Sequence, residues 1–115
     1  MNIDFSKGKI SKEELRQSME EDNIKIVEIM PEPVYEKSHI EGAINIPPAK
    51  IKEIAPKVLK KEDNIVVYCK DLTCLESPFL VRWLRERGYR KVLDYEAGKA
   101  DWKAAGYPMN SGKNP

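Results

Sequence analysis

The chain holds two cysteines, and both lie in the stretch "NIVVYCKDLTCLESPFLVRWLRERGY", Asn64 to Tyr89. Cys69 closes an apolar run and Cys74 follows in a C-x4-C spacing. Ser77-Pro78 then opens a helical pattern, with Ser77 expected as N-cap and Pro78 as the first helical residue. A thiol is a useful nucleophile only as a thiolate, and a free cysteine, with a pKa of about 8.5, is mostly protonated at neutral pH. A helix start offers unpaired N–H groups and a positive dipole end, both of which favour an anion. Lys70, Asp71, Leu72, Thr73, Cys74, Leu75 and Glu76 carry the chain from strand end to helix start. Curled around the Cys69 sulfur with its N–H groups inward, such a loop forms an anion nest. It would lower the thiol pKa without a histidine and cradle a bound sulfane sulfur or oxyanion. A cysteine at the end of a buried strand is also often just a small hydrophobe. Position alone leaves both readings open.

The elements that must position this loop alternate between two hydrophobic periods. "SKEELRQSMEEDN" is a helix with Ser11 as N-cap and Glu14 completing a capping box. "IKIVEIM", Ile24 to Met30, is β-branched and bounded by Asn23 and Pro31, hence a strand. "PEPVYEKSHIEG" is a loop with room for one helical turn, and "AINIP" is a short strand ended by Pro47-Pro48. "AKIKEIAPKVLKKED" holds one or two short helical segments interrupted by Pro56. "NIVVYC" is the most apolar strand, of the kind that a parallel sheet covers on both faces. In the helix after Ser77, Phe79, Leu80, Trp83 and Leu84 share one face, Arg82, Arg85 and Glu86 fall outside it, and Gly88 ends it. "KVLDY" is a strand and "KADWKAAG" a last helix. Tyr68 should face away from Cys69 by strand alternation. Trp83 and Trp102 read as core, and Gly98 as a tight turn near the site.

Strands alternating with helices predict a three-layer α/β domain over residues 1–109 with a mainly parallel sheet, and a disordered tail over 110–115. In such sheets, sites lie outside the carboxyl ends of strands, where Cys69 stands. With 20 basic and 19 acidic residues interleaved, no basic stripe is available for nucleic acid or an anionic membrane. The N-terminal stretch has no apolar signal region, and no apolar run is long enough to span a bilayer. The expectation is a cytoplasmic protein. A structural disulfide is then not expected, because that compartment is reducing. Cysteine and histidine together are too few and too scattered for a zinc site.

Two segments carry a family resemblance. "KIVEIMPEPVYEKSHIEGAINIPP" and "KVLDYEAGKADWKAAGYP", with "IVVYC" and its loop between them, resemble the rhodanese-like domain. The likeness runs from about Ile10 to Met109, and "HIEGAINIP" and "AGKADWKAAGYP" are its most specific pieces. It implies a five-stranded, mainly parallel sheet flanked by helices. It also implies a catalytic cysteine directly after the central strand, matching Cys69. That cysteine takes sulfane sulfur from a donor as a persulfide and passes it to an acceptor. His39 falls where the family has a structural histidine before a turn.

The sequence departs from the family in places. The usual Val-Asp-Val-Arg signature has Glu28 and Met30 in place of its Asp and Arg, which removes a charge near the site. The loop reads as about two residues longer than the common six-residue form. It carries Asp71 and Glu76 and lacks an arginine, leaving Lys70 as its only cation. Such a loop is a poor clamp for a phosphate dianion, so phosphatase chemistry is disfavoured. It also suits a polysulfide or a persulfidated protein better than thiosulfate as sulfur donor.

The resulting expectation is a single-domain sulfurtransferase that moves sulfane sulfur through a persulfide on Cys69. It uses no metal and no organic cofactor. A thiol or protein accepts the sulfur, and neither nucleic acid nor membrane is a partner. Cys74 has two readings: a resolving thiol that forms a disulfide with Cys69, or a residue that contributes packing or a cradle amide. Two alternatives belong to other classes. One is a catalytically weak rhodanese-like interaction module. The other is a dithiol redox protein using Cys69 and Cys74.

Overall fold

Strand β4 (Asn64–Tyr68) forms the centre of the molecule, with Ile65, Val66, Val67 and Tyr68 all fully buried. Its residues are apolar without alternation because helices cover both of its faces. The computed structural model describes residues 4–21 and 23–115. The expectations that touch residues 1–3 and Asp22, at the end of the first predicted helix, lie outside the described residues. β4 pairs in parallel with β1 (Ile24–Glu28) on one side and β5 (Val92–Tyr95) on the other. β3 (Ile44–Asn45) lies beyond β1, giving the order β3-β1-β4-β5.

This parallel sheet has four strands among the described residues, not the five expected. The missing edge is reduced to one bridge between Lys9 and Asp94. Asp94 N–H donates to the Gly8 carbonyl at 2.9 Å, and Ile10 N–H donates to the Asp94 carbonyl at 3.2 Å. The reason is local. Gly8, at φ 77°, turns the chain out of a short 3-10 turn, and Ser11 already opens α1 (Lys12–Glu21). Little chain remains between them for pairing. The capping box of α1 forms reciprocally: Ser11 N–H donates to Glu14 Oε1 and Glu14 N–H donates to Ser11 Oγ, both at 3.1 Å.

Three further segments differ from expectation. Pro31 to Gly42 contains the helix α2 (Glu32–Lys37) and the strand β2 (His39–Ile40), which pairs antiparallel with β6 (Met109–Asn110). That pairing starts a docked C-terminus where a disordered tail was expected. Gly112 N–H donates to the Glu36 carbonyl at 2.7 Å, and the Asn114 carbonyl lies 2.9 Å from His39 Nε2. Pro56 does not interrupt its helix. α3 (Ile51–Val58) runs through it, and Lys52, four residues earlier, loses its partner at an exposed position.

α4 (Glu76–Glu86) and α3 cover one face of the sheet, over Ile65, Val67, Ile29 and Val92. α1 and α5 (Gly98–Ala104) cover the other, over Val66, Tyr68, Leu93 and Tyr95, with Trp102 fully buried. Each such aliphatic side chain contributes about 2 kcal/mol on burial. The buried stripe of α4 is Ser77, Leu80, Val81 and Leu84, a regular i, i+3, i+4, i+7 pattern. Because Ser77 takes the first inward position, Phe79 is rotated out and is 61% exposed, against the expectation that it joins the core face. Trp83 is half-buried, with the Arg87 guanidinium 3.9 Å from its ring centroid. Among the described residues no helix is long and apolar enough to cross a membrane.

Candidate active site

Cys69 is the first residue beyond β4 and is buried, 5% exposed. Its neighbour Tyr68 packs in the core beneath α5, so the two side chains diverge as strand alternation requires. α4 begins at Glu76, after Leu75, so the loop proper is Lys70–Leu75, six residues. Ser77 is therefore not the N-cap. It is the second helical residue, and its hydroxyl turns inward to donate to the buried Asp94 carboxylate on β5. Pro78 becomes the third helical residue. It costs no bond there, because first-turn N–H groups have no partner within the helix.

The loop is folded back by a turn. Cys74 N–H donates to the Asp71 carbonyl at 3.1 Å. Asp71 Oδ1 accepts both the Thr73 hydroxyl and the Thr73 N–H, the latter at 2.9 Å. These bonds, the hydroxyl first, hold the Asp71 carboxyl below the usual carboxylate range. Asp is favoured at the first position of such turns for this reason. The turn returns Cys74 to Cys69, and the two sulfurs form a disulfide with a Cα–Cα distance of 6.3 Å, within the ordinary span of such a bond. The Thr73 and Cys74 amides are thus committed to Asp71 and are not aimed at the Cys69 sulfur as the anion-nest expectation had them. Leu72 and Leu75 project from the loop, 70% and 83% exposed, and Lys70 and Glu76 are exposed charges.

The base of the loop is gripped by the start of α5. Lys99 N–H donates to the Cys69 carbonyl at 3.0 Å and Ala100 N–H to the Lys70 carbonyl at 2.9 Å. Gly98 makes the approach possible: it has φ 71°, and a Cβ there would stand 2.7 Å from the Cys69 carbonyl oxygen and 2.9 Å from the Asp71 nitrogen. The Lys99 ammonium turns the other way. It pairs with the fully buried Glu28 at 3.0 Å and donates to the Ser38 carbonyl at 2.6 Å. Tyr68 completes the network, donating to Glu28 Oε1 at 2.7 Å and accepting from Ile40 N–H at 3.0 Å. Burial, then Glu28, push the Tyr68 phenol well above its ordinary value.

Met30 stands where the family signature has its arginine, and nothing in its local sequence marks it as a neighbour of Cys69. Its thioether sulfur lies 3.3 Å from Cys69 Sγ. The available signal was register: β1 and β4 are parallel with Glu28 beside Tyr68, so the residues just past their ends must meet. The Glu28–Lys99 pair and the Ser77–Asp94 contact left no comparable local signal. His39 stacks on Tyr35 at 3.8 Å, and both of its ring nitrogens lie 2.9 Å from carbonyl oxygens, of Tyr35 and Asn114. These contacts give it a packing role. Beside the loop runs an open groove of about 540 Å³, lined by Pro48, Ala49, Leu75, Glu76, Phe79 and Leu80. Among the described residues no three His, Cys, Asp or Glu side chains converge in a way that could hold a metal ion.

The family model for the rhodanese-like domain matches residues 11–105. The chain is 35% identical over 105 residues to the HTH-type transcriptional regulator Rv0324 of Mycobacterium tuberculosis, covering 90% of this chain and 45% of that protein. It thus spans about half the length of that relative. It is 29% identical over 92 residues to the thiosulfate sulfurtransferase GlpE of Coxiella burnetii, covering 80% of this chain and 83% of that protein. Among solved structures it is similar to the Alr3790 protein from Anabaena sp., with a TM-score of 0.81, 27% identity, and coverage of 90% of this chain and 80% of that one.

Proposed function

The chain belongs to the rhodanese-like domain family, and from that membership we propose that it is a sulfurtransferase carrying sulfane sulfur as a persulfide on Cys69. The observation that carries this reading is the place of Cys69, at the carboxyl end of the central parallel strand and at the head of a loop clamped by α5. In the reaction the Cys69 thiolate attacks the outer sulfur of the donor. The donor's S–S bond breaks and its electron pair leaves with the remainder of the donor. An acceptor thiolate then takes the outer sulfur, and Cys69 departs again as thiolate.

The surroundings favour a persulfide or polysulfide as donor over thiosulfate. Met30 rather than a cation lies against the sulfur, and the one cation of the loop, Lys70, shares its short segment with two acids, Asp71 and Glu76. The groove beside the loop is mainly apolar, which suits the organic part of an alkyl or protein persulfide. Protein thiols carry out every step, and a reducing compartment such as the cytoplasm keeps them available.

The test uses the Cys74→Ser variant, so that only one thiol can hold the sulfur. After reduction and brief exposure to an alkyl persulfide or polysulfide, the peptide containing Cys69 should gain about 32 Da. If several donors, thiosulfate included, leave that peptide unchanged, the domain is a non-catalytic binding module instead.

A further inference from the structure

We propose that Cys74 gives this site a second activity, the reduction of sulfane sulfur to free sulfide with oxidation of the Cys69–Cys74 pair. This second activity rests on the persulfide reading and gives the fate of the persulfide once it has formed. Its ground is the disulfide between the two residues together with the device that produces it. The turn from Asp71 to Cys74 is held by three hydrogen bonds, all to Asp71. The other end of the loop is held by the Lys99 and Ala100 amides, and the Gly98 backbone packs directly against it. Both ends being anchored, the meeting of the two sulfurs is built into the loop.

The Cys74 sulfur occupies the bonding position on Cys69 that a transferred sulfur would take. Persulfide and disulfide are therefore alternative states of one sulfur atom. Once a persulfide forms, Cys74 is a thiol of the same loop, positioned for attack without a second encounter. Its thiolate attacks the inner sulfur, Cys69 Sγ. The bond from Sγ to the outer sulfur breaks, and hydrosulfide leaves with the electron pair and takes a proton. The sulfane sulfur is reduced, and two thiols become one disulfide. Starting from an alkyl persulfide, the sum is one persulfide and two protein thiols giving one thiol, one hydrogen sulfide and one disulfide.

Turnover then needs a dithiol reductant, and the burial pattern says where it attacks. Cys69 is 5% exposed, whereas Cys74 is only half-buried. An incoming thiolate reaches the Cys74 sulfur, and Cys69 leaves as the thiolate ready for the next donor. The pair thus acts as a sulfide-releasing persulfide reductase, with a persulfide and a protein or small-molecule dithiol as its two substrates.

The experiment is a single turnover with the reduced full chain, freed of reductant and given one equivalent of glutathione persulfide. Released sulfide is trapped with a bimane and the protein is weighed intact. A Cys69→Ser variant supplies the background. The wild type should release about one sulfide per chain, lose about 2 Da and keep no added sulfur. Cys74→Ser should keep the added sulfur and release little above background. If wild type and Cys74→Ser both keep the sulfur and release none, the inference is overturned while the persulfide reading stands. If neither protein gains sulfur nor releases sulfide, the persulfide reading has failed and this one fails with it. The wild-type stoichiometry decides the matter even should the variant fold poorly.

Discussion

The thioether sulfur of Met30 and the sulfur of Cys69 lie 3.3 Å apart, at the adjoining ends of two parallel strands. Methionine is neutral and polarizable, and it suits a sulfur neighbour better than a charged one. The site therefore offers little to a donor whose leaving group is a doubly charged oxyanion. Met30→Arg should raise kcat/KM for thiosulfate about tenfold, the effect of roughly one charge-assisted hydrogen bond. It should leave the rate with an alkyl persulfide unchanged or lower. Initial rates with both donors at low and high salt would show this, and an equal change for both would remove Met30 from donor selection.

Gly98 is the point where α5 meets the loop backbone. Gly98→Ala places a side chain at φ 71° and within 3 Å of three backbone atoms of Cys69, Lys70 and Asp71. The conformation alone costs about 2 kcal/mol. Because the crowded atoms belong to the loop, sulfur transfer should fall by a larger factor than stability explains. Thermal melts paired with single-turnover rates measure the two effects separately, and normal rates in the variant would contradict the clamp.

Glu28 and Lys99 form a buried pair, with side chains 0% and 11% exposed. Lys99→Met leaves a carboxylate in the core without its cation and should cost about 3–5 kcal/mol. Adding Glu28→Gln should restore much of that, since no charge is then left buried. Urea unfolding of the single and double variants provides the comparison. Equal losses in both would mean that the ammonium acts mainly through its bonds to the Ser38 and Val34 carbonyls.

Asp94 is 4% exposed, and its Oδ1 has no hydrogen-bond partner among the described residues. Burial raises its carboxyl above the ordinary value of 3.8, against the opposing pull of the Ser77 hydroxyl. Ionisation of this group therefore opposes folding. The penalty is full above the raised folded-state value, shrinks as pH falls from there, and vanishes below 3.8, where both states are protonated. Asp94→Asn should be more stable than wild type by about 1 kcal/mol at neutral pH, with the difference closing in acid. A gap that does not narrow as pH falls would mean that the carboxyl is not the cause.

Much of the scaffold was legible because its determinants lie close together in the chain. The Ser11–Glu14 capping box, the unbroken apolar run of β4 and the turn-forming Gly98 each follow from a few neighbouring residues. The structure departs from these local signals where a tertiary partner outweighs a local preference. Ser77 looks like an N-cap but turns inward to Asp94, and that rotation exposes Phe79. Residues 110–115 look disordered, yet β2 and His39 give their backbone groups partners.

By itself the sequence determined an α/β chain with a cysteine at the end of its central strand, because helical and strand periods and the position of Cys69 are properties of the chain order. Only the folded structure decided what surrounds that sulfur. Met30, Cys74 and Gly98 come from three different segments, and the parallel register, the turn at Asp71 and the start of α5 bring them together. Contacts among such segments depend on the register and close approach of elements, which spacing along the chain does not encode.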